Sequence, residues 1–151
     1  MQHVTIMAQA HPVQNGEIMF ITTNIRHRRR IFADPACARI AIEVLYDIQE
    51  FYPFFLFGFV VMPDHCHFLL RIPDEGFISK MMNIYKRAVA FNIGQGPIWQ
   101  SSFHIRIPDN PQEALAYIHR NPVQSGLSAL PEGYPWSSAS GKWDVMDLAW
   151  S

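Results

Sequence analysis

The stretch from residue 54 to residue 72 constrains the fold most. It contains a nearly continuous apolar run, a break at Pro63-Asp64, and then His65-Cys66-His67 followed by five positions of which four are apolar. This pattern predicts two strands joined by a tight turn. Side chains alternate faces along a strand, so His65 and His67 share one face and Cys66 lies on the other. Two neutral imidazoles can help to hold a divalent metal. Two half-buried structural histidines fit this tripeptide equally well.

Length and composition favour one globular domain, residues 1–151. The chain is 49% hydrophobic and 17% charged, and a net charge of −1 supplies no general attraction to nucleic acid. Any DNA binding must therefore rest on a local basic patch. The two cysteines form no evident disulfide framework, and the apolar run 51–62 is too short to cross a bilayer. We expect a soluble, cytoplasmic protein that has no membrane partner.

Hydrophobic periodicity predicts the elements in chain order. They are a brief strand near 4–7, a strand at 18–24, a helix at 35–50 capped by Asp34, strands at 54–62 and 65–72, a helix at 77–91, an edge strand at 98–107, and a helix from Pro111 that ends near Asn121 before Pro122. Turns are expected at 11–16, 73–76 and 92–97. This order is the split βαβ arrangement of a ferredoxin-like α+β sandwich, with a central antiparallel sheet that carries the His-x-His motif and helices on one face. The core spans about 17–139, and a C-terminal tail wraps around it.

Basic residues cluster in one segment, Arg26-His27-Arg28-Arg29-Arg30. Such a run is either a solvated loop or an edge that contacts phosphates, because cationic groups attract polyanions whatever their sequence. The residues alone leave both interpretations open. On the helix predicted at 77–91, the spacing places Lys80, Lys86 and Arg87 toward water.

Tyr117 and Asn121 are one helical turn apart and share a helix face. If that face meets the sheet, the Tyr117 hydroxyl lies beside the histidines and the Asn121 amide oxygen supplies a third metal ligand. That arrangement suits phosphoryl transfer, with tyrosine as the nucleophile. The alternative is that Tyr117 is a core aromatic. Tyr85 is a rival nucleophile, although its spacing with Met81 and Met82 favours a core position.

Several separated motifs together resemble one family. They are Phe20-Ile21-Thr22-Thr23-Asn24, Val60 to Leu70, Ile98-Trp99-Gln100, Tyr117-Ile118-His119-Arg120-Asn121-Pro122-Val123, Gly126-Leu127, and Tyr134-Pro135-Trp136-Ser137-Ser138. In this order they resemble the single-tyrosine HUH transposases, and within them the REP-associated tyrosine transposases, relatives of the insertion-sequence 200/605 type. The resemblance covers about residues 17–139.

The resemblance implies a metal-dependent DNA transposase, an endonuclease that cleaves and rejoins single-stranded DNA through a covalent phosphotyrosine. It places Mg²⁺ or Mn²⁺ on His65, His67 and Asn121, and makes Tyr117 the nucleophile. Single-stranded DNA that carries hairpins is the expected partner, and the sequence leaves open whether a monomer or a homodimer acts. Candidate DNA-backbone contacts, on which the resemblance confers no individual role, are Arg26, Arg28, Arg29, Arg30, Lys80, Lys86 and Arg87.

Two alternative functions remain at this level. One is a non-catalytic relative that binds hairpin DNA, and the other is a metal-dependent phosphodiesterase that uses water as its nucleophile. The chain also departs from the family pattern at three places. Asp64 stands where asparagine is common, the net charge is near zero, and the segment 104–108 is not a clean match.

Overall fold

The computed structural model describes residues 2–6, 17–73 and 78–148. Within these ranges it contains five strands and three α-helices. In chain order they are β1 (Gln2–Ile6), β2 (Ile18–Ile25), α1 (Pro35–Phe51), β3 (Phe55–Met62), β4 (His65–Arg71), α2 (Ile78–Ile93), β5 (Trp99–Ile107) and α3 (Pro111–Gln124). None of these helices is long and apolar enough to span a bilayer. The turn predicted at 11–16, all but the first residue of the turn predicted at 73–76, and the predicted helix start at Phe77 lie outside the described residues.

The strands form one antiparallel sheet in the order β1-β5-β2-β4-β3. The last four strands of this order, with α1 and α2 as their connections, have the predicted ferredoxin-like arrangement. The prediction that residues 98–107 form an edge strand is wrong, because the short N-terminal strand β1 pairs along the open side of β5. Sequence periodicity reports which face of a strand is buried, but it does not report which strands are neighbours.

The two faces of the sheet are covered by different helices. α1 and α2 bury the face that carries Cys66, Phe68 and Leu70. α3 packs on the opposite face, where Ala114 and Ile118 meet Phe20, Val60 and Leu69. The prediction of helices on one face therefore holds for α1 and α2, while α3 lies on the other side. That second face is the one that His65 and His67 share.

The ends of the helices follow local hydrogen bonds. The Asp34 carboxylate accepts from the Ala36 amide at the start of α1, as predicted, and the Asn110 side chain accepts from the amides of Gln112 and Glu113 at the start of α3. The prediction that α3 ends at Asn121 is wrong, since the helix continues through Pro122 to Gln124.

Backbone hydrogen bonds from residues beyond Pro122 hold the last turn of α3. The Ser125 amide donates to the Asn121 carbonyl at 3.0 Å, and the Leu127 amide donates to the Pro122 carbonyl at 2.8 Å. These bonds satisfy carbonyls at the end of the helix. Asn121 thus remains in regular helix, one turn beyond Tyr117.

α3 lies very close to β3 at Gly58. A Cβ atom at that position would collide with the Leu115 side chain and would also approach Ser138 Oγ at 3.2 Å. The absence of a side chain therefore sets the distance between α3 and the sheet.

The C-terminal tail closes the free edge of β3. The Val61 amide donates to the Trp136 carbonyl at 2.8 Å, the Tyr134 hydroxyl donates to the Val61 carbonyl at 2.7 Å, and Ser137 bridges Val60. The tail continues to the Met146 amide, which donates to the Leu56 carbonyl at 2.8 Å. The wrapping tail thus protects a sheet edge that would otherwise expose unpaired backbone groups.

Ser138 offers a test of how tightly the tail holds α3 and β3 together. Its hydroxyl accepts from the Phe59 amide at 3.0 Å and lies 2.9 Å from His119 Nε2 on α3. Ser138→Ala leaves a buried amide without its acceptor, so we expect the free energy of unfolding to fall by roughly 1–3 kcal/mol. Urea denaturation measures this loss. Ser140→Ala, which removes an exposed hydroxyl that accepts from the Lys142 amide, is the control and should change little. Equal losses of stability in the two variants would contradict the role of Ser138 in holding the tail, α3 and β3 together.

Candidate active site

His65 and His67 lie on one face of β4, near the centre of the sheet. On β2, His65 pairs with Asn24 and His67 pairs with Thr22. The two imidazole rings are 4.7 Å apart between centroids. Cys66 is fully buried on the opposite face, as strand alternation predicted. The neighbouring strands therefore fix two histidines side by side under α3.

Each histidine ring is oriented through its Nδ1 atom. His67 Nδ1 is 2.9 Å from Thr22 Oγ1, and His65 Nδ1 is 2.6 Å from Asp64 Oδ1. A carboxylate accepts the Nδ1–H of His65, and this places the lone pair of that ring on Nε2. Such outer contacts are how proteins fix the tautomer and direction of metal-binding imidazoles.

Asp64 belongs to a short charged network at the end of β2. Arg28 Nε donates to Asp64 Oδ2 at 3.0 Å, and Arg28 Nη1 donates to Asn24 Oδ1 at 3.2 Å. Burial by itself raises the pKa of Asp64, but the hydrogen bonds and charges of His65 and Arg28 together outweigh it, so that the pKa is lowered. Asp64 therefore stays ionised and holds His65 in place.

Both histidines are neutral near pH 7. Burial is the main cause that lowers the pKa of His67 to about 3, with further contributions from His65, Arg106 and Arg28. Burial likewise lowers the pKa of His65, against the opposing effect of Asp64. Because only a neutral imidazole nitrogen can coordinate a metal, this environment keeps both rings in the binding form.

α3 carries Tyr117 and Asn121 to the same place. The Tyr117 ring is 5.7 Å from the His67 ring between centroids, and its side chain remains 39% exposed, whereas Asn121 is only 8% exposed. A pocket of about 390 Å³ is lined by all four predicted residues together with Thr22, Asn24, Arg28 and His104. The fold thus unites residues from β4 and α3 that are about fifty positions apart in sequence.

Thr22 and His104 also line this pocket, although the sequence did not mark them as site residues. Thr22 pairs with His67 on one side and with His104 on β5 on the other, so the three side chains form one row across the sheet. The alternation of faces within each strand is the sequence signal that could have identified Thr22 and His104. That signal could be used only once the pairing register of the strands was known.

Tyr85, the rival nucleophile, lies elsewhere. It is fully buried between the sheet and α1 and donates its hydroxyl to the Ala41 carbonyl at 2.8 Å. Burial raises its pKa well above the usual value. Tyr85 is therefore a core residue, on the face of the sheet opposite to the histidines.

The candidate DNA-contacting residues fall into two groups. Arg26, Arg28, Arg29 and Arg30 are exposed between β2 and α1, and Arg28 lines the pocket. In this segment His27 and Arg28 have positive φ angles of 58° and 54°, and Arg29 Nη2 donates to the Pro97 carbonyl at 3.1 Å.

The lysines and the arginine of α2 lie on the other face of the sheet. Lys80 and Arg87 are exposed there. The prediction that Lys86 faces water is wrong, because its ammonium donates to the Gln100 carbonyl at 2.7 Å and the side chain is only 8% exposed. Burial lowers its pKa to about 8. A long aliphatic stem allows lysine to cross the core edge and end on a carbonyl.

The donor set at the pocket fits a divalent metal. Among the described residues, no group of three His, Cys, Asp or Glu side chains could hold a metal ion. A metal bound by His65 and His67 therefore needs oxygen ligands of another kind, such as the Asn121 amide or a substrate phosphate.

Comparison with known proteins assigns this chain to a family. The family model for IS200-like transposases matches residues 13–121, a range that includes His65, His67, Tyr117 and Asn121. The chain belongs to the IS200-like transposase family.

The chain is also similar to individual proteins. The chain is 28% identical over 107 residues to a Haemophilus influenzae protein provisionally named a REP-associated tyrosine transposase, an alignment that covers 59% of this chain and 61% of that relative. The matched region thus spans less than two thirds of the relative. A solved REP-associated tyrosine transposase bound to a REP hairpin superposes with a TM-score of 0.76 at 23% identity, covering 95% of this chain and 96% of the other. A Deinococcus radiodurans protein provisionally named a transposase gives a TM-score of 0.57 at 17% identity, covering 79% of this chain and 96% of the other.

The lowered pKa of His67 predicts a specific sensitivity to acid. The ordinary imidazole titrates near pH 6.5 and the folded one near pH 3, so between these values the unfolded state binds the extra proton. The free energy of unfolding therefore falls as the pH drops. Between pH 7 and pH 5, in chelator, the parent protein should lose about 2 kcal/mol more than His67→Asn.

Chemical denaturation at the two pH values measures this difference. His27→Asn is the matched control, because His27 is exposed and asparagine tolerates its positive φ angle. It should follow the parent protein. The assignment of a buried, neutral His67 fails if His67→Asn loses as much stability as the parent protein.

Proposed function

We propose that this protein cleaves and rejoins single-stranded DNA through a covalent bond between DNA phosphate and Tyr117. The observation that carries the proposal is the placement of an exposed tyrosine, 5.7 Å between ring centroids from His67, over two oriented and neutral histidines. Membership of the IS200-like transposase family supports a role in DNA strand transfer.

His65, His67 and Asn121 would hold the divalent metal, Mg²⁺ or Mn²⁺. When bound, that ion would neutralise charge on the phosphate and help to align it for in-line displacement. The protein itself supplies the orientation. Thr22 and Asp64 fix the two imidazoles, and the last turn of α3 holds Asn121 rigidly beside them.

Tyr117 would be the nucleophile. Its phenolic oxygen forms a bond to phosphorus while the bond from phosphorus to a sugar oxygen breaks, so the energy of the phosphodiester is kept in a phosphotyrosine. A second strand end can later displace the tyrosine and restore a phosphodiester. The partial exposure of Tyr117 suits this role, because the first strand must bring its phosphate to the phenolic oxygen and the second strand end must then reach the phosphorus bound to that oxygen.

The proposed substrate is single-stranded DNA that carries a hairpin. Arg28 lines the pocket, and it and the other exposed arginines between β2 and α1 would contact the DNA backbone. The structural relative is bound to a REP hairpin. Lys80 and Arg87 remain predicted contacts on the far face. Lys86 is left out, since its ammonium is already bound to a backbone carbonyl.

Tyr117→Phe tests the nucleophile directly. The change deletes one oxygen from an exposed side chain, so folding and DNA binding should stay close to those of the parent protein. Strand cleavage and the DNA adduct that survives denaturing electrophoresis should both disappear. The assay compares a hairpin-bearing single strand with a fully paired duplex, and only the former should form the adduct.

Tyr85→Phe is the control for this experiment. It removes a hydroxyl from the core and should keep the adduct, at the cost of a small loss of stability. Cleavage without an adduct in the parent protein would indicate a water nucleophile. Hairpin binding with neither cleavage nor adduct would indicate a non-catalytic binding protein.

His67→Ala tests the metal site. Loss of a direct ligand should weaken Mn²⁺ binding by more than the roughly 10–100-fold that outer contacts contribute, and metal-dependent cleavage should stop. Titration calorimetry with Mn²⁺ gives the affinity without requiring activity. Cys66→Ser, on the opposite face of the same strand, should bind Mn²⁺ normally. The reverse result would place the metal on the other face of β4.

A further inference from the structure

A second pocket adjoins the first along α3. It has a volume of about 610 Å³ and shares Thr22, His67, His104 and Tyr117 with the pocket of about 390 Å³ described above. Tyr117 therefore stands in the middle of a continuous groove between α3 and the sheet. One end of the groove leads to Asn121 and Arg28, and the other leads toward the beginning of α3. A strand whose phosphate is attacked by Tyr117 can follow this groove into the second pocket.

The floor of the second pocket is an aromatic ring under a guanidinium group. Arg106 on β5 pairs with Phe20 on β2, and its Cζ atom lies 4.3 Å above the Phe20 ring centroid. The Nε atom of Arg106 is buried without a hydrogen-bond partner among the described residues. The contact with Phe20 thus holds the guanidinium at the floor of the pocket, where its face or its Nε–H can meet a ligand.

The wall of the pocket is one face of α3. Glu113, Tyr117 and Arg120 are spaced by four and three residues, so they line the same side of the helix, and all three border the pocket. Glu113 and Arg120 are seven residues apart, or about 10 Å along the helix axis. That separation is comparable with the reach of one nucleotide from its phosphate to the far edge of its base.

We propose that this pocket binds the unpaired nucleotide next to the phosphate that Tyr117 attacks, with Arg120 at its phosphate, its base stacked on Arg106, and Glu113 at the edge of the base. The inference rests on the proposed function and adds a base-reading subsite to it. The pocket volume lies in the range of roughly 300–1,000 Å³ that small ligands occupy. Guanidinium planes and aromatic rings are the usual stacking partners of unpaired bases.

Glu113 gives the subsite a base preference. A carboxylate only accepts hydrogen bonds, so it favours bases that present N–H donors. Guanine offers two adjacent donors on its Watson–Crick edge and matches a carboxylate best. Thymine offers one donor between two carbonyl oxygens, which the carboxylate repels, and it matches worst.

The test uses hairpin-bearing single strands that differ only in the nucleotide on one or the other side of the cleavage point. At one of these positions the parent protein should form the Tyr117 adduct with guanine at least roughly tenfold faster than with thymine. Glu113→Gln should reduce that ratio to near one, because it slows the guanine substrate and removes the repulsion of thymine. Glu43→Gln, an exposed acid on α1, is the matched control and should keep the full preference.

Two further variants separate stacking from base reading. Arg106→Met keeps an unbranched stem but removes the planar, charged guanidinium, and should slow adduct formation with all four bases by roughly tenfold. Arg120→Gln, on the exposed face of α3, should also slow adduct formation with all four bases. A preference that survives Glu113→Gln unchanged overturns the proposal, as does an unaltered rate in both arginine variants.

Binding of short unpaired oligonucleotides to Tyr117→Phe, measured by fluorescence anisotropy, distinguishes this proposal from the proposed function. If the parent protein forms no adduct with any substrate, the proposed function fails, and the subsite is then judged by affinity alone. A guanine preference that Glu113→Gln removes supports the subsite even then. The proposal is overturned if Tyr117→Phe binds oligonucleotides of all four bases with equal affinity, both with and without the Glu113→Gln change.

Discussion

The central position of β4 is the constraint on which the rest of the site depends. Hydrogen-bonded to β2 on one side and β3 on the other, β4 has a fixed register, and a slip of one residue would exchange the faces of His65, Cys66 and His67. The apolar residues that follow, Phe68 and Leu69, prevent that slip because they fill opposite cores. The register that builds the hydrophobic core therefore also aims the two histidines.

The second requirement is the close approach of α3 to the same face. Gly58 lets the helix approach β3, and Ser138 ties the tail to both elements through Phe59 and His119. The α3 residues in these contacts, Leu115 and His119, lie within one turn of Tyr117 and Asn121, so they set the position of both site side chains. A catalytic arrangement that spans a helix and a sheet needs such support, since small displacements cost rate steeply.

The electrostatics of the pocket follow from the same packing. Burial removes the charge from His67 and His65, while Asp64 keeps its charge because Arg28 and His65 bind it. A chain whose net charge is −1 thus places an arginine at the site and retains neutral imidazoles there. Net charge gave little information about the partner, because the relevant charges are local.

The sequence by itself determined the strand and helix pattern, the shared face of His65 and His67, and the one-turn spacing of Tyr117 and Asn121, because these depend on periods of two and 3.6 residues within single elements. Only the tertiary structure decided that β5 is internal, that Lys86 is buried on Gln100, that α3 runs through Pro122, and that Thr22, His104 and Arg106 face the groove. Each of these depends on which elements become neighbours, and local periodicity carries no information about neighbours that are distant in the chain.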